Sequence, residues 1–159
     1  MVWRAYDRAT TFLLALCGFA MFALAIGNAF LRYFLDSPLI WSEEISRYTM
    51  VWGTMIGVAL AYRASQHVAI TLMGDALPKR ARLVLRLFLH LLALATAAVL
   101  LRTGYPLVAA LGLLEAPSSG LRMVWAYAAI PTGGVLLAIE AVRLLGADLR
   151  GWREIGSDA

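Results

Sequence analysis

Apolar and polar residues of this chain separate into long blocks instead of alternating residue by residue. A bilayer core about 30 Å thick needs roughly 20 helical residues to cross it, and four apolar blocks reach about that length. Only helices and closed barrels satisfy the backbone in lipid, and the blocks lack the period of two that barrel strands show. The pattern predicts an all-α integral membrane protein, a single membrane domain over residues 1–159 with transmembrane helices at about 9–31, 43–63, 83–103 and 123–145.

Three connections join the predicted helices. Residues 32–44 contain Ser37-Pro38, a favourable helix start, so we expect a short interfacial helix between the first two helices. Residues 64–82 hold too few apolar positions to span a bilayer and suit a re-entrant or surface segment. Residues 112–122 are rich in Gly, Pro and Ser and predict a turn-rich loop.

Composition and charge support the membrane assignment. The chain is 62% hydrophobic and 15% charged, whereas a soluble domain has about 25% charged residues. A net charge of +4 would fit a nucleic acid partner, but the basic residues lie at the ends of apolar blocks, where they act as topology signals. We therefore expect no nucleic acid partner. Cys17 is the only cysteine, so the chain has no internal disulfide.

The distribution of basic residues predicts the orientation. If the N-terminus is cytoplasmic and four helices cross, ten of the 14 Lys and Arg residues lie inside and four lie outside: Arg32, Arg47, Arg102 and Arg122. This bias fits the positive-inside rule. Both termini are therefore predicted to be cytoplasmic.

The second helix begins with an unusual polar cluster. Glu43 and Glu44 precede Arg47 by four and three residues, in the order that favours helical ion pairs. Three aromatic residues are interleaved with them: Trp41, Tyr48 and Trp52. One interpretation is a charged helix start at the water interface, flanked by an aromatic belt. The other is an interface cluster that meets a partner, and the residues alone leave both open.

The same helix carries a stripe of small residues at spacings of 7, 4 and 4: Ser46, Gly53, Gly57 and Ala61. Small residues let a second helix approach closely. The stripe suits either packing within this bundle or docking of a partner protein.

Two arginines at the ends of apolar blocks, Arg32 and Arg102, are candidates for a lipid or ion-pair contact. If the third helix starts near Leu83, Arg102 lies about 28 Å along it, at the level of Glu43 and Glu44. There it could pair with a carboxylate, hold a lipid phosphate or extend its side chain into water.

The remaining titratable residues predict neither a catalytic site nor a cofactor or metal site. Glu140 lies near the inner edge of the fourth block, with Arg143 as its expected partner. His90 lies inside the third block, but haem ligation would need a second histidine at membrane depth, so a packing role fits better. No Cys/His metal spacing or phosphate-binding glycine loop is present. We therefore expect no enzyme activity.

The stretch from Leu31 to Ile70 resembles the small membrane subunit of TRAP (tripartite ATP-independent periplasmic) transporters, the DctQ-like subunit. The matching residues are an Arg-aromatic pair, a Ser-Pro turn, Trp-Ser-Glu-Glu, Arg-Tyr, a Trp and a His with β-branched neighbours: Arg32, Tyr33, Ser37, Pro38, Trp41, Ser42, Glu43, Glu44, Arg47, Tyr48, Trp52, His67, Val68 and Ile70. The fourth block is similar to the family's closing helix, at Tyr127, Ile130, Pro131 and Gly133. The chain departs from the family at Thr71, where many relatives carry an acid.

The resemblance implies a scaffold subunit in the bacterial inner (cytoplasmic) membrane, surrounded by membrane lipids. Its expected partners are the large TRAP membrane subunit, which carries substrate and sodium, and a periplasmic substrate-binding protein that delivers an organic anion. Two alternatives stay open: a stand-alone four-helix exporter acting as a dimer, and a membrane anchor of an oxidoreductase. A carboxylate at mid-membrane would favour the first, and paired membrane histidines would favour the second.

Overall fold

A computed structural model of the chain describes residues 2–72 and 79–157, with side chains for residues 3–64, 81 and 84–150. Within these ranges the chain forms four long helices and one short helix: α1 (Val2–Phe34), α2 (Ser42–Leu72), α3 (Lys79–Leu111), α4 (Val124–Tyr127) and α5 (Ala129–Ser157). The prediction of an all-α membrane protein with four helices is confirmed.

The long helices extend beyond the apolar blocks from which they were predicted. α1 begins at Val2 instead of near residue 9, and α3 continues to Leu111 instead of ending near 103. Residues 64–72, expected to form a re-entrant or surface segment, continue α2 instead. The apolar block marks the part that suits lipid, whereas backbone hydrogen bonding carries a helix further into its polar flanks. Residues 73–78 of that connection lie outside the described residues.

The prediction of a short interfacial helix between the first two long helices was wrong. Residues 35–41 are non-helical. Asp36 has a left-handed backbone (φ 51°), and the N–H groups of Leu35 and Ser37 both bond the carbonyl of Leu31, which ends α1. The N–H of Leu39 then donates to Asn28 Oδ1 at 2.9 Å. These contacts hold the segment in an extended path, so the helix-start signal of Ser37-Pro38 is overridden.

The loop over residues 112–122 is turn-rich, as predicted. Glu115 and Arg122 form an isolated antiparallel bridge, and Gly120 takes a left-handed backbone (φ 67°) between them. The N–H of Met123 bonds the carbonyl of Leu114 at 2.8 Å. The loop is thus a closed hairpin-like turn that leads directly into α4.

The helices pack in the spatial order α1, α2, α5, α3. α1 packs along α2, and α5 packs along both α2 and α3. The buried cluster between α3 and α5 consists mainly of small residues: Ala93, Ala97, Leu137 and Ala141. Small side chains let the two helices approach closely, which is how membrane helices gain van der Waals contact.

Among the residues that the structure describes, three helical segments are long and apolar enough to cross a membrane by length and composition: Trp3–Phe34, Val84–Leu111 and Val124–Arg150. α2 is not among them, because its apolar run Ile45–Tyr62 is diluted by Gly, Ser, Thr, Tyr and Arg47. Since α1 and α5 cover two sides of α2, this helix exposes less surface to lipid than a peripheral helix does. Its lower apolarity follows from that position.

Candidate interface residues and the two polar ends of the bundle

Polar side chains collect at the two ends of the bundle. The loop end comprises residues 35–47 and 112–125, where α1 ends, α2 begins and the chain enters α4. The clamp end is the opposite end, where charged and polar side chains join the helices to one another: Asp7, Tyr62, Arg63, Arg86, His90, Glu140, Arg143 and Asp148.

The two adjacent carboxylates of the loop end point to different places. Arg47 Nη2 lies 3.4 Å from Glu43 Oε1, and the two side chains are 65% and 82% exposed. Glu44 Oε2 instead accepts a 2.8 Å hydrogen bond from the backbone N–H of Ser119. Glu43 and Arg47 therefore form a solvated pair on the helix surface, whereas Glu44 ties α2 to the loop. The role of the three residues in binding a partner stays a prediction.

The electrostatics of Glu44 reflect this tie. Glu44 precedes the apolar run of α2. Hydrogen bonding by the Ser119 side chain holds the pKa of Glu44 below its usual value against an opposing effect of desolvation. The backbone amides of Ser119 and Ser118 and the charge of Arg47 lower this pKa further. Glu44 is therefore ionised at neutral pH, where an anionic acceptor strengthens its bond to the loop.

The three aromatic residues of the predicted cluster also separate. Trp52 Nε1 donates to the carbonyl oxygen of Trp125 at 2.7 Å, which joins α2 to α4. Trp41 is exposed and Tyr48 is half-buried. Trp52 is therefore a tie between helices, and Trp41 is the most exposed aromatic ring of the cluster.

Ser42, the first residue of α2, anchors the connection that precedes the helix. Its side chain is buried, and its hydroxyl donates to the carbonyl of Leu39 at 2.7 Å. The hydroxyl therefore fixes the preceding connection, while the Glu44 carboxylate is used by the loop.

The small-residue stripe of α2 faces α1. A Cβ added at Gly53 would lie 3.5 Å from Cys17 Cβ, and one added at Gly57 would lie 3.8 Å from a Leu14 methyl. These are ordinary van der Waals distances. At the ends of the stripe Ser46 is half-buried and Ala61 is exposed. Of the two interpretations, the contacts support packing within the bundle at Gly53 and Gly57.

Closer contacts between helices occur at three glycines that were not predicted as packing positions, although Gly133 belongs to the closing-helix motif. A Cβ at Gly133 would lie 2.8 Å from Met55 Cβ, and one at Gly104 would lie 2.9 Å from Pro131 Cδ. One at Gly134 would lie 3.1 Å from the carbonyl oxygen of Ala97. The available signal was the adjacent pair Gly133-Gly134 in an apolar run, which marks a close approach on two sides of α5.

Arg32 and Arg102, the two candidates for lipid or ion-pair contact, are both exposed. The Arg32 guanidinium lies 5.9 Å from the ring centroid of Tyr33 at the end of α1. Arg102 is not at the end of its helix, because α3 continues for nine further residues to Leu111. The prediction that Arg102 lies level with Glu43 and Glu44 was therefore wrong. Its cause was the assumption that α3 ends near 103.

The first part of the clamp end is a four-residue ion network that joins three helices. Asp7 Oδ1 lies 2.5 Å from Arg63 Nη1 and 2.8 Å from Arg143 Nη1. Glu140 is fully buried and receives Arg63 at 3.5 Å and Arg143 at 3.7 Å. The Glu140–Arg143 pairing was predicted. The contributions of α1 through Asp7 and of α2 through Arg63 were missed.

The ring of Trp3 packs against the arginine side of this network. The Arg143 guanidinium lies 4.7 Å from the Trp3 ring centroid, within the range of a cation–π contact. The charges of the two acids and the two arginines thus balance one another in a partly buried site. The tyrosine hydroxyl of Tyr6 is buried there without a hydrogen-bond partner among the described residues.

The second part of the clamp end is a chain of hydrogen bonds through the buried His90. Its Nδ1 lies 2.5 Å from the Tyr62 hydroxyl, and its Nε2 lies 3.1 Å from Asp148 Oδ2. Because a carboxylate only accepts, Nε2–H donates to Asp148; in the neutral imidazole, Nδ1 then accepts from the Tyr62 hydroxyl. Arg86 Nη1 pairs with the other oxygen of Asp148 at 3.1 Å. His90 is the satisfied packing histidine that the sequence predicted, and its partners come from α2 and α5.

The motif residues His67, Val68 and Ile70 lie in the part of α2 whose side chains are outside the described residues. Among the described residues, no group of three or more His, Cys, Asp or Glu is placed to hold a metal ion. The arrangement that the structure does show is a bundle tied at both ends by polar contacts between helices.

Comparison with known proteins identifies the family. Residues 21–151 match the family model described as tripartite ATP-independent periplasmic transporters, DctQ component. The chain is 32% identical to the sialic acid TRAP transporter small permease protein SiaQ of Vibrio cholerae serotype O1, over 69% of this chain and 63% of that protein. The chain thus spans less than two thirds of this relative's length.

Two proteins of Haemophilus influenzae are also similar. The sialic acid TRAP transporter permease protein SiaT is 26% identical over 78% of this chain but only 20% of its own length. A protein provisionally named as a TRAP transporter small permease is 32% identical over 79% of this chain and 78% of its own length. Together with the family match, which covers most of the chain and all four long helices in whole or part, these similarities show that the chain belongs to the DctQ family, the small permease components of TRAP transporters.

Proposed function

We propose that this chain is the static scaffold subunit of a sodium-driven TRAP importer in the bacterial inner membrane. Its partners are a large membrane subunit, which moves an organic anion, and a periplasmic binding protein that delivers the anion. Membership of the DctQ family supports this assignment. The stand-alone exporter and the oxidoreductase anchor have no support from the similar proteins.

One observation supports the scaffold role above the others: the buried charged groups hold the helices together. Glu140 is paired with Arg63 and Arg143. His90 uses both ring nitrogens for Tyr62 and Asp148. Breaking a buried pair leaves an uncompensated charge at a cost of about 3–5 kcal/mol. Groups bound in this way resist rearrangement, as a static subunit requires.

The match to SiaT supports a large membrane partner. The similar region makes up 20% of that permease. In SiaT a region like this chain is therefore one part of a much longer polypeptide. Because other relatives are named as small permease proteins, we propose that the corresponding larger part is a separate subunit here.

Orientation follows from the charge bias. With both termini cytoplasmic, the clamp end faces the cytoplasm and the loop end faces the periplasm, where the binding protein arrives. Single cysteines at Ser118 and Ser157, in a Cys17→Ser background, test this. Ser118→Cys is expected to react with an impermeant thiol reagent in intact cells, and Ser157→Cys only after permeabilisation. The reverse labelling would overturn the orientation.

Reconstitution tests the function as a whole. We expect proteoliposomes with this chain, the large subunit and the binding protein to accumulate a labelled organic anion when sodium is higher outside. Sialic acid, named for two relatives, is the first anion to test. Vesicles with this chain alone, or without a sodium gradient, are the matched controls. Uptake or efflux by the chain alone would contradict the scaffold role and would instead support a stand-alone transporter.

A further inference from the structure

Arg102 has an unusual environment for a charged residue. Its side chain is exposed on the outward face of α3, and no hydrogen bond or ion pair joins it to the described part of the chain. The positions three and four residues away on the same face are Ala98, Val99, Tyr105 and Pro106, which are all exposed. The guanidinium therefore lies on an apolar, outward-facing surface.

Contacts between helices fix the depth of Arg102 in the bundle. On one side of it, Gly104 meets Pro131; on the other, Leu100 meets Gly134. Arg102 is therefore level with residues 131–134 of α5. The same part of α5 meets α2 at Met55, through Gly133. Met55 lies in the middle of the apolar run Ile45–Tyr62, so Arg102 lies near the middle of the membrane-spanning part of the bundle.

Helix length also places Arg102 inside the span Val84–Leu111, between its middle and its loop end. Nine residues, about 14 Å at 1.5 Å per residue, separate Arg102 from the end of α3 at Leu111. The loop beyond that point still exposes apolar side chains at Leu113 and Leu114. The Arg102 guanidinium therefore starts from a backbone position well inside the apolar part of α3.

The backbone at Arg102 has a second unmet requirement. Pro106 lies inside α3 and has no N–H. In a regular helix that N–H would bond the carbonyl oxygen four residues earlier, which is the carbonyl of Arg102. In lipid, backbone groups freed by a proline are normally satisfied by neighbouring helices or by polar side chains. Inside the membrane-spanning segment of α3, the same residue therefore offers a cation without a partner among the described residues and a carbonyl that lacks its regular helical partner.

The outward face of α1 shows what a lipid-facing surface of this protein looks like. Its exposed residues are large and apolar along the whole stripe: Phe12, Leu16, Phe19, Phe22, Ile26 and Phe30. No charged residue lies between Arg8 and Arg32. α1 therefore suits lipid contact without any partner, whereas α3 does not.

We propose that the outward face of α3 around Arg102 (Ala95, Ala98, Arg102 and Tyr105) docks the large membrane subunit, which presents a carboxylate to Arg102. A charge in the membrane that does not face the bundle interior is expected to pair with an opposite charge. Ala95 and Ala98 let a partner helix approach closely on the same face. The inference rests on the proposed function, because it takes the large subunit as the partner.

Co-purification of the complex tests the docking surface. We expect Arg102→Leu to weaken association with the large subunit at least about tenfold, since truncating one member of a desolvated pair leaves the other unpaired. Arg102→Lys keeps the charge and is expected to lose less. Phe19→Leu, on the outward face of α1, is the matched control and is expected to bind like the parent.

The isolated chain provides the readout that separates docking from folding. Because Arg102 has no partner in the described chain, Arg102→Leu is expected to leave its thermal midpoint unchanged or raised. A photo-crosslinking residue at Ala98 is expected to capture the large subunit, and one at Phe19 is not. Equal co-purification of Arg102→Leu and the parent, a lowered midpoint of the isolated variant, or capture from Phe19 alone would overturn the proposal.

Two further outcomes identify other causes. If native mass spectrometry shows an anionic phospholipid that is lost in Arg102→Leu while co-purification is unchanged, Arg102 binds a lipid phosphate and the docking proposal is overturned. If the parent chain itself does not associate with the large subunit, the proposed function fails and the docking surface fails with it. If the parent associates with the large subunit and Arg102→Leu associates equally well, the docking surface is refuted while the proposed function stands.

Discussion

The loop end and the clamp end of this bundle use charged residues in opposite ways. At the loop end, Glu43 and Arg47 form a pair that is largely in water. At the clamp end, Arg63 joins Asp7 to Glu140, which is fully buried. The loop end carries several of the residues by which the family is recognised, among them Trp41, Glu43 and Glu44, whereas the clamp end carries the buried ion pairs that join three helices. Charge is thus mostly in water at the loop end and mostly paired between helices at the clamp end.

The largest effect is expected from breaking the ion network of the clamp end. Arg63→Ala would leave the buried Glu140 carboxylate and Asp7 short of one counter-charge, so we expect a loss of about 3–5 kcal/mol in the free energy of unfolding. Arg47→Ala, on the same helix, is the matched control. Its exposed pair is worth about 0.3–0.5 kcal/mol. Denaturation in detergent micelles measures both, and equal losses would show that the two ends do not differ.

The hydrogen-bond chain of the clamp end gives the next largest effect. Tyr62→Phe removes the hydroxyl that meets His90 Nδ1 and leaves a buried acceptor unpaired, at a cost of about 1–3 kcal/mol. Tyr105→Phe removes the same hydroxyl from an exposed position of α3 and is expected to leave the isolated chain unchanged. A double-mutant cycle of Tyr62→Phe with His90→Leu should show coupling. Additive losses would mean that the short contact contributes nothing.

The sequence predicts these features unequally, for physical reasons. Apolar blocks long enough for lipid are visible in one chain, so the four helices could be predicted. Asp7 and Arg143 are 136 residues apart, and nothing local indicates their pairing. The position of Arg102 along its helix could not be predicted from the sequence either, because it depends on α3 continuing through Pro106. Proline ends many helices, but here α3 packs on α5 at Gly104, two residues earlier.

The glycines provide a third contrast, between two helix contacts of different closeness. At Gly133 an added Cβ would lie 2.8 Å from Met55 Cβ, an atom fixed to the backbone of α2. Gly133→Ala is therefore expected to push the helices apart and cost about 1–3 kcal/mol. At Gly53 the nearest atom is Cys17 Cβ at 3.5 Å, so Gly53→Ala fits and is expected to gain up to about 1 kcal/mol of helix propensity. Thermal unfolding of both variants checks this, and a stabilised Gly133→Ala would refute the close contact.

The smallest expected effect concerns pH and the loop end. Hydrogen bonding by Ser119 lowers the pKa of Glu44 from its usual 4.5. A carboxyl with a lower pKa in the folded state adds stability that is fully present above the unfolded pKa and is lost as pH falls through the folded pKa. We therefore expect the parent to lose a small increment of stability below about pH 4.5.

Glu44→Gln removes this titration while keeping a side-chain oxygen that can accept from the Ser119 N–H. The difference in stability between parent and variant should therefore be largest at neutral pH and shrink as the medium is acidified below the unfolded pKa. Glu43→Gln serves as the control, since Glu43 meets only the exposed Arg47 among the described residues. Its difference from the parent should stay small and nearly independent of pH. If the curves of Glu44→Gln and the parent run parallel from pH 7 down to pH 3, the loop is held without help from the Glu44 charge. Neither the exposed Glu43–Arg47 pair nor the Glu44 charge would then contribute measurably to the stability of the loop end.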